Sequence, residues 1–277
     1  MKTRRNFLKQ SSLFGAATLI MPQFSYAITK NSTYGVQLYS FRDSMLENPK
    51  KTLEDIANLG FKEIESAGSA KGYYYGLTPT EMGQTCKDLG MKITSGHVRL
   101  DDKFEKTMED AVASGQEHLI CSSMPSDGQT VDNYKKVAEQ FNVAGEACKK
   151  LGLKFGYHNH EYEFDTENGQ VLYDVLMDNT QVDLVHMELD LGWVVVAGKD
   201  PISYFKKYPG RFPLWHLKDM DMTKKESTEF GKGVLDIALM LKNKELSGVE
   251  HIYIEQEEYA STPVESMKYN MDYLKNI

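Results

Sequence analysis

The chain has 277 residues, with 40 acidic against 32 basic side chains and a formal net charge of −8. That length suits one large α/β domain, and the acidic balance, with no Lys/Arg cluster beyond the first ten residues, argues against nucleic-acid or anionic-membrane partners. Cys86, Cys121 and Cys148 follow no metal or disulfide pattern and are expected as buried thiols.

In chain order, residues 1–27 read as an export leader. Thr3-Arg4-Arg5-Asn6-Phe7-Leu8-Lys9 carries paired arginines, a modestly apolar run follows from Ser12 to Met21, and Ser25-Tyr26-Ala27 offers a small-residue cleavage site. This is the pattern of a twin-arginine signal, which implies periplasmic delivery of an already folded protein. The apolar run falls short of the roughly 18 to 20 residues of a membrane span, so no membrane association is expected after cleavage.

Residues 28–277 show no linker and are expected to form one catalytic domain. Leu59-Gly60-Phe61-Lys62, Leu89-Gly90-Met91-Lys92 and Leu151-Gly152-Leu153-Lys154 each follow a helical pattern and precede a short apolar run, with Gly where a helix C-cap belongs. The helical patterns cover Thr52–Asn58, Thr80–Asp88 and Asn133–Lys150; in the last, Val137, Phe141, Ala144 and Cys148 recur at three and four. Strands are predicted at Gly35–Tyr39, Glu63–Glu65, Lys92–Gly96, His118–Cys121, Lys154–Tyr157, Leu184–Leu189, Leu214–Leu217 and Ile252–Ile254. Strands alternating with helices mean a parallel sheet, and eight of them close into a (β/α)8 TIM barrel. Gly68–Gly76, with Tyr73-Tyr74-Tyr75, reads as an ordered aromatic loop.

In such a barrel the chemistry lies at the C-terminal strand ends. Here those ends read Arg42, Glu65, His97, Ser122-Ser123, His158, Asp190, His216 and Glu255, polar residues capping apolar strands. The densest stretch is Gly156-Tyr157-His158-Asn159-His160-Glu161-Tyr162-Glu163-Phe164. Residues two apart on a strand share a face, which pairs His158 with His160, His216 with Lys218, and Glu188 and His186 with Asp190. Which of His158, His160 and Glu163 would ligate a metal stays open at this point. No Gly-rich phosphate loop follows the first strand and no G-x-S-x-G occurs. Gly231-Lys232-Gly233, after the seventh strand, is the sole candidate phosphate loop.

Gly35-Val36-Gln37-Leu38-Tyr39-Ser40, Tyr157-His158-Asn159-His160, Asp190 with Ala197-Gly198-Lys199-Asp200-Pro201, Gly210-Arg211, His216-Leu217-Lys218-Asp219 and Ile254-Glu255 occur in this order. Together they resemble the xylose-isomerase-like barrels, the group of sugar phosphate isomerases and epimerases, inosose dehydratases and endonuclease IV. The resemblance implies one divalent ion, manganese before magnesium, cobalt, iron or zinc, held by His158, Asp190, His216 and Glu255. It implies catalytic roles for Glu255, His97, Lys218 and Glu163, and substrate contacts from His160, Trp193, Arg42 and Glu65. The partner would be a small carbohydrate, with homo-oligomers left open. Two departures stand out: His158 occupies a position where many relatives have Glu, and Trp193 one where many have His.

The implied function is a sugar isomerase or epimerase working by proton abstraction beside a carbonyl. Because His158 weakens a symmetric two-base mechanism, β-elimination by a keto-sugar dehydratase or 3-keto-glycoside lyase is the alternative. A non-catalytic periplasmic sugar-binding barrel is the reading from another class. Replacing both Arg4 and Arg5 with Lys is expected to leave a folded precursor in the cytoplasm, scored by fractionation and immunoblot; undiminished periplasmic delivery would remove the twin-arginine reading.

Overall fold

A computed structural model describes residues 33–277; the expected leader and the boundary at Ala27 lie outside the described residues. Eight parallel strands close into a barrel: β1 (Gly35–Gln37), β2 (Glu63–Ser66), β3 (Lys92–Val98), β4 (His118–Cys121), β5 (Lys154–His158), β6 (Val185–Asp190), β7 (Leu214–Leu217) and β8 (His251–Ile254). β1 pairs with both β2 and β8, which closes the ring.

All eight strands fall where the sequence places them, with two informative shifts at their ends. β1 stops early because the Gln37 side chain accepts a hydrogen bond from the Tyr39 N–H and turns Leu38–Phe41 into a 3-10 helix. β6 runs one residue further, to Asp190, which also caps the helix Leu191–Val196: its Oδ1 accepts from the Trp193 N–H at 2.9 Å. The helices Pro49–Leu59, Pro79–Asp88 and Val131–Lys150 each begin slightly before the predicted spans, behind the capping side chains of Asn48, Thr78 and Thr130. Gly60, Gly90 and Gly152 have φ of 100°, 71° and 75°, so the repeated Leu-Gly joint needs the left-handed backbone that Gly supplies at no steric cost.

Between barrel and helices lies a continuous apolar core. Phe155 of β5 packs on Phe141 at 5.4 Å and Phe104 at 5.8 Å, and Trp215 of β7 stacks on Phe205 at 4.9 Å. The three cysteines are free and buried, as expected.

Inside the barrel, side chains stack in layers taken from alternate strands. At the N-terminal end sit Glu63, His118, His186 and His251, linked by ring contacts and a Glu63–His251 hydrogen bond. Above them Ile120, Leu214 and Tyr253 form a small apolar cluster, with Tyr253 Oη hydrogen-bonded to Thr94 Oγ1 at 2.8 Å. Gly35 and Gly156 make room for it: an added Cβ would lie 2.5 Å from the Tyr253 ring and 2.6 Å from Ile120 Cδ1 respectively. Glu65 and Glu188 stand two residues beyond Glu63 and His186, as Tyr253 and Ile120 stand beyond His251 and His118; His97, His158 and His216 come next, with Asp190 and Glu255 at the C-terminal mouth.

Two short hairpins lie in the loops after β5 and β7, Thr166–Glu167 with Gln170–Val171 and Asp219–Asp221 with Glu226–Thr228. Gly231-Lys232-Gly233 belongs to the second loop. The backbone N–H groups of Gly231 and Gly233 donate to Asp219 Oδ2 at 2.9 and 3.0 Å, and those of Met220 and Leu235 donate to Oδ1. That anion-binding nest is filled by the chain's own carboxylate.

Candidate metal centre and active site

Four strand exits converge at the C-terminal mouth. His216 Nδ1 lies 2.8 Å from Glu255 Oε2 and 3.8 Å from Asp190 Oδ2, and His158 Nε2 lies 4.0 Å from Asp190 Oδ2. The Lys218 ammonium sits among the carboxylates, 3.0 Å from Asp190 Oδ2, 2.7 Å from Glu255 Oε2 and 2.8 Å from Glu257 Oε1. The converging His216 and Lys218 place the Asp and both Glu side chains on one arc of the ring, at the ends of β6, β7 and β8.

A second tier of carboxylates supports the imidazoles from below. The other nitrogen of His216, Nε2, is 2.6 Å from Glu65 Oε2 and 3.3 Å from Glu188 Oε2, while His158 Nδ1 is 3.3 Å from Glu188 Oε2. Each ring thus turns one nitrogen to the mouth and one to a buried carboxylate, the arrangement that orients metal-binding histidines. Glu65 is itself fixed by Gln37 Nε2 at 2.8 Å and Ser95 Oγ at 2.5 Å. His97 Nε2 joins this tier, 2.7 Å from Glu188 Oε2 and 3.3 Å from Glu65 Oε2.

The donor set fits a divalent ion. Mixed carboxylate and imidazole donors suit manganese, magnesium, iron, cobalt or zinc. Asp190 Oδ2 is buried with no hydrogen bond satisfied, its neighbours being the Lys218 ammonium at 3.0 Å and the ring nitrogens His216 Nδ1 and His158 Nε2, so a cation seated among these donors would complete it. Burial disfavours every charge here, and the neighbours decide the rest. His216 is raised well above its ordinary value, because Glu188 and Glu255 outweigh its burial. Glu255 is held well below the carboxylate range, since Lys218 and His216 outweigh burial there. Burial, reinforced by His216 and His97, keeps His158 neutral, as a metal ligand must be.

Above the cluster opens a cavity of about 960 Å³, lined among others by Tyr39, Tyr73, His97, His160, Trp193 and Glu257. Its walls differ by arc. The β6–β8 side offers Lys218, Glu255 and Glu257; the β3–β5 side offers His97, His158 and His160. His97 is raised from its ordinary value, since Glu65 and Glu188 outweigh burial, whereas burial and then Lys218 hold His160 down to about 4. Trp193 covers the Lys218 ammonium, 5.1 Å from its ring centre.

Three candidates sit elsewhere. Glu163 faces away from the cavity: its Oε1 accepts from the Tyr157 hydroxyl at 2.5 Å and its Oε2 from the His160 N–H at 2.8 Å, so it braces the loop that carries His160. Glu65 lies beneath His216, fully buried. The Arg42 guanidinium is spent on the Tyr39 and Glu257 carbonyls. Glu257, absent from the sequence-based candidates, is the added member of the cavity wall. The signal for it was present, because Glu257 follows Glu255 by two, as Lys218 follows His216.

With this geometry in place, comparison with known proteins is specific. Residues 53–277 match the family model of the xylose isomerase-like TIM barrel. The chain belongs to that family. An inosose dehydratase of Clostridium perfringens is 35% identical over 127 residues, which make up 44% of this chain and 42% of that protein. The chain therefore matches less than half the length of that relative. A sugar phosphate isomerase/epimerase from Parabacteroides distasonis superposes with a TM-score of 0.80 at 26% identity, over 89% of this chain and 99% of its own. The IOLI protein, solved with a zinc atom, shares the fold at a TM-score of 0.70 and 16% identity, over 88% of this chain and 97% of its own.

Two outcomes follow from the family site as placed here. Replacing His216 or Glu255 with Ala removes one of four converging donors, and bound divalent metal, measured by mass spectrometry of the purified protein, is expected to fall by about one ion per chain. The second concerns Glu163, whose carboxyl burial raises from its ordinary 4.5 to about 7. The folded chain then holds a proton that the unfolded chain has released, so this residue's contribution to stability falls as pH rises from about 4.5 to about 7. Relative to Glu163→Gln, the wild-type unfolding free energy should drop by roughly 3 kcal/mol across that window in urea titrations.

Proposed function

We propose that the protein is a divalent-metal-dependent enzyme that removes the proton beside the carbonyl of a keto or aldose sugar, and that its reaction ends in β-elimination. The observation that carries this reading is the division of the cavity into a carboxylate arc at β6–β8 and an imidazole arc at β3–β5. Epimerisation by two bases needs matched proton acceptors on both faces of the sugar. Elimination needs a base on one side and an acid on the other.

His158, Asp190, His216 and Glu255 would hold the ion, which supplies Lewis acidity toward the negative charge that develops on the carbonyl oxygen. Glu257 is raised above its usual range, by burial first and then by Glu255, against the pull of Lys218, which makes it a stronger base than the depressed Glu255. It takes the proton from the carbon beside the carbonyl. His97, kept protonated between Glu65 and Glu188, gives a proton to the departing oxygen. Lys218 keeps the carboxylates together, and Trp193 and Tyr39 offer flat apolar surfaces to a sugar ring. An unphosphorylated substrate is the expectation, with Lys218 engaged by the chain's own carboxylates; Arg99 and Lys103, which also line the cavity, are the cations that would meet a phosphate group.

Isomerisation or epimerisation is the second reading, favoured by the near-complete overlap with the Parabacteroides distasonis protein. A panel of free keto sugars and 3-keto-glycosides, incubated with protein and manganese in deuterium oxide, separates the two. The expected result is deuterium at the carbon beside the carbonyl together with loss of the β-substituent, read by NMR and mass spectrometry. Rapid inversion with no elimination product would establish the epimerase reading. Absence of both, in protein that carries metal, would leave a binding barrel.

A further inference from the structure

At the opposite end of the barrel, away from the cavity, the lowest interior layer holds three imidazoles and a carboxylate. His118, the first residue of β4, is fully buried, yet neither of its ring nitrogens has a hydrogen-bond partner among the described residues. Nδ1 of His186 is unpartnered as well. Each unmet buried polar group is a cost to folding, so a layer with several of them calls for a ligand. The rings converge, with His118 5.3 Å from His251 and 5.7 Å from His186. His251 Nδ1 lies 2.8 Å from Glu63 Oε2, which fixes its ring and leaves Nε2 as its free donor.

Glu117 completes the group from the surface. Its backbone is held on both sides, its N–H donating to the Thr94 carbonyl and its carbonyl accepting from the Lys154 N–H, both at 2.9 Å. One donor atom each from Glu117, His118 and His251 lies within 4.8 Å of the others. Donor atoms around a tetrahedral zinc stand roughly 3.4 Å apart for bonds of about 2.1 Å, a closure that the exposed Glu117 side chain can supply by rotation. The nearby Lys154 ammonium is turned to Glu250, 3.4 Å away.

We propose that this cluster is a second, structural metal site that takes zinc or a similar transition ion on Glu117, His118 and His251, with Glu63 orienting His251 and the fourth position open to His186 or water. Neutral imidazole with a single carboxylate is the donor chemistry of zinc. Burial, followed by Lys154 and His251, keeps His118 neutral, with its pKa lowered to about 2, so no proton needs to leave that ring for it to ligate. The apolar cluster of Ile120, Leu214 and Tyr253 separates this layer from the donors at the mouth, and no residue is shared between the two sites. The bound ion would staple β4 to β8 across the barrel floor.

The test is zinc titration of the chelator-stripped protein by calorimetry, with metal content and melting temperature read in parallel. Wild type should take two equivalents per chain, His118→Gln one, and Asp190→Asn should keep the one that His118→Gln loses. Glu63→Gln should weaken the floor equivalent by about 10–100-fold. If His118→Gln does not fold, the surface substitution Glu117→Gln takes its place and should weaken the same equivalent while leaving the fold intact. A single equivalent in wild type, or two undiminished equivalents in His118→Gln or Glu117→Gln, overturns the proposal.

Discussion

The upper barrel depends on charge compensation. Glu65, Glu188, Asp190, Glu255 and Glu257 are gathered within a few ångströms of one another and largely removed from water. Two like charges about 4 Å apart cost on the order of 4 kcal/mol even at the effective dielectric of a protein surface. Lys218 and the protons on His216 and His97 offset part of this. Glu65 stays ionised with a value near 2, whereas Glu188, buried beside it, is lifted to about 7 and gives up its charge more readily. A divalent cation would supply further compensating charge to such an array, held by His158, Asp190, His216 and Glu255, with Glu65 fixing the other nitrogen of His216.

That constraint also shapes what the mouth can do. Carboxylates paired with Lys218 accept protons, and an imidazole pinned between two carboxylates gives one up only to a strong enough base, such as a departing oxygen. With carboxylates on one arc and imidazoles on the other, the cavity wall is asymmetric. His158 contributes by staying neutral: a Glu in its place would put a second carboxylate on the imidazole side and restore the symmetry that proton transfer from both faces requires.

The fold was legible because three helix-to-strand joints repeat Leu-Gly and the strands are short apolar runs with polar residues at or just beyond their ends. Those are local signals; a hydrogen bond to Gln37 shortens β1 and Asp190 joins β6 as a helix cap, while β2, β3 and β5 run one or two residues past the predicted ends, to Ser66, Val98 and His158. The site was legible in its residue types and in the two-residue period. It was not legible in which way each loop turns after the strand. Glu163 shares the His-rich stretch, but a 3-10 turn over Tyr162–Phe164 rotates it outward onto Tyr157. Glu65 sits at a strand end in the sequence, yet β3 and the turn after β1 build over it, through Ser95 and Gln37, and place it under the site. No pattern along the chain reports such vertical position in a barrel; it depends on the stagger of eight strands.

The stagger also explains why one barrel can carry two polar layers without their charges collapsing into one another. β2, β4, β6 and β8 contribute Glu63, His118, His186 and His251 at the floor, and β6 and β8 contribute Asp190 and Glu255, four residues further along, at the mouth. Between them β4 and β8 contribute Ile120 and Tyr253, and β7 contributes Leu214. Gly35 and Gly156 give up their side chains so that Tyr253 and Ile120 can fill the axis. The phenol of Tyr253 is satisfied by Thr94 rather than by either polar layer. The apolar contacts of Ile120, Leu214 and Tyr253 thus lie between the floor imidazoles and the donors at the mouth.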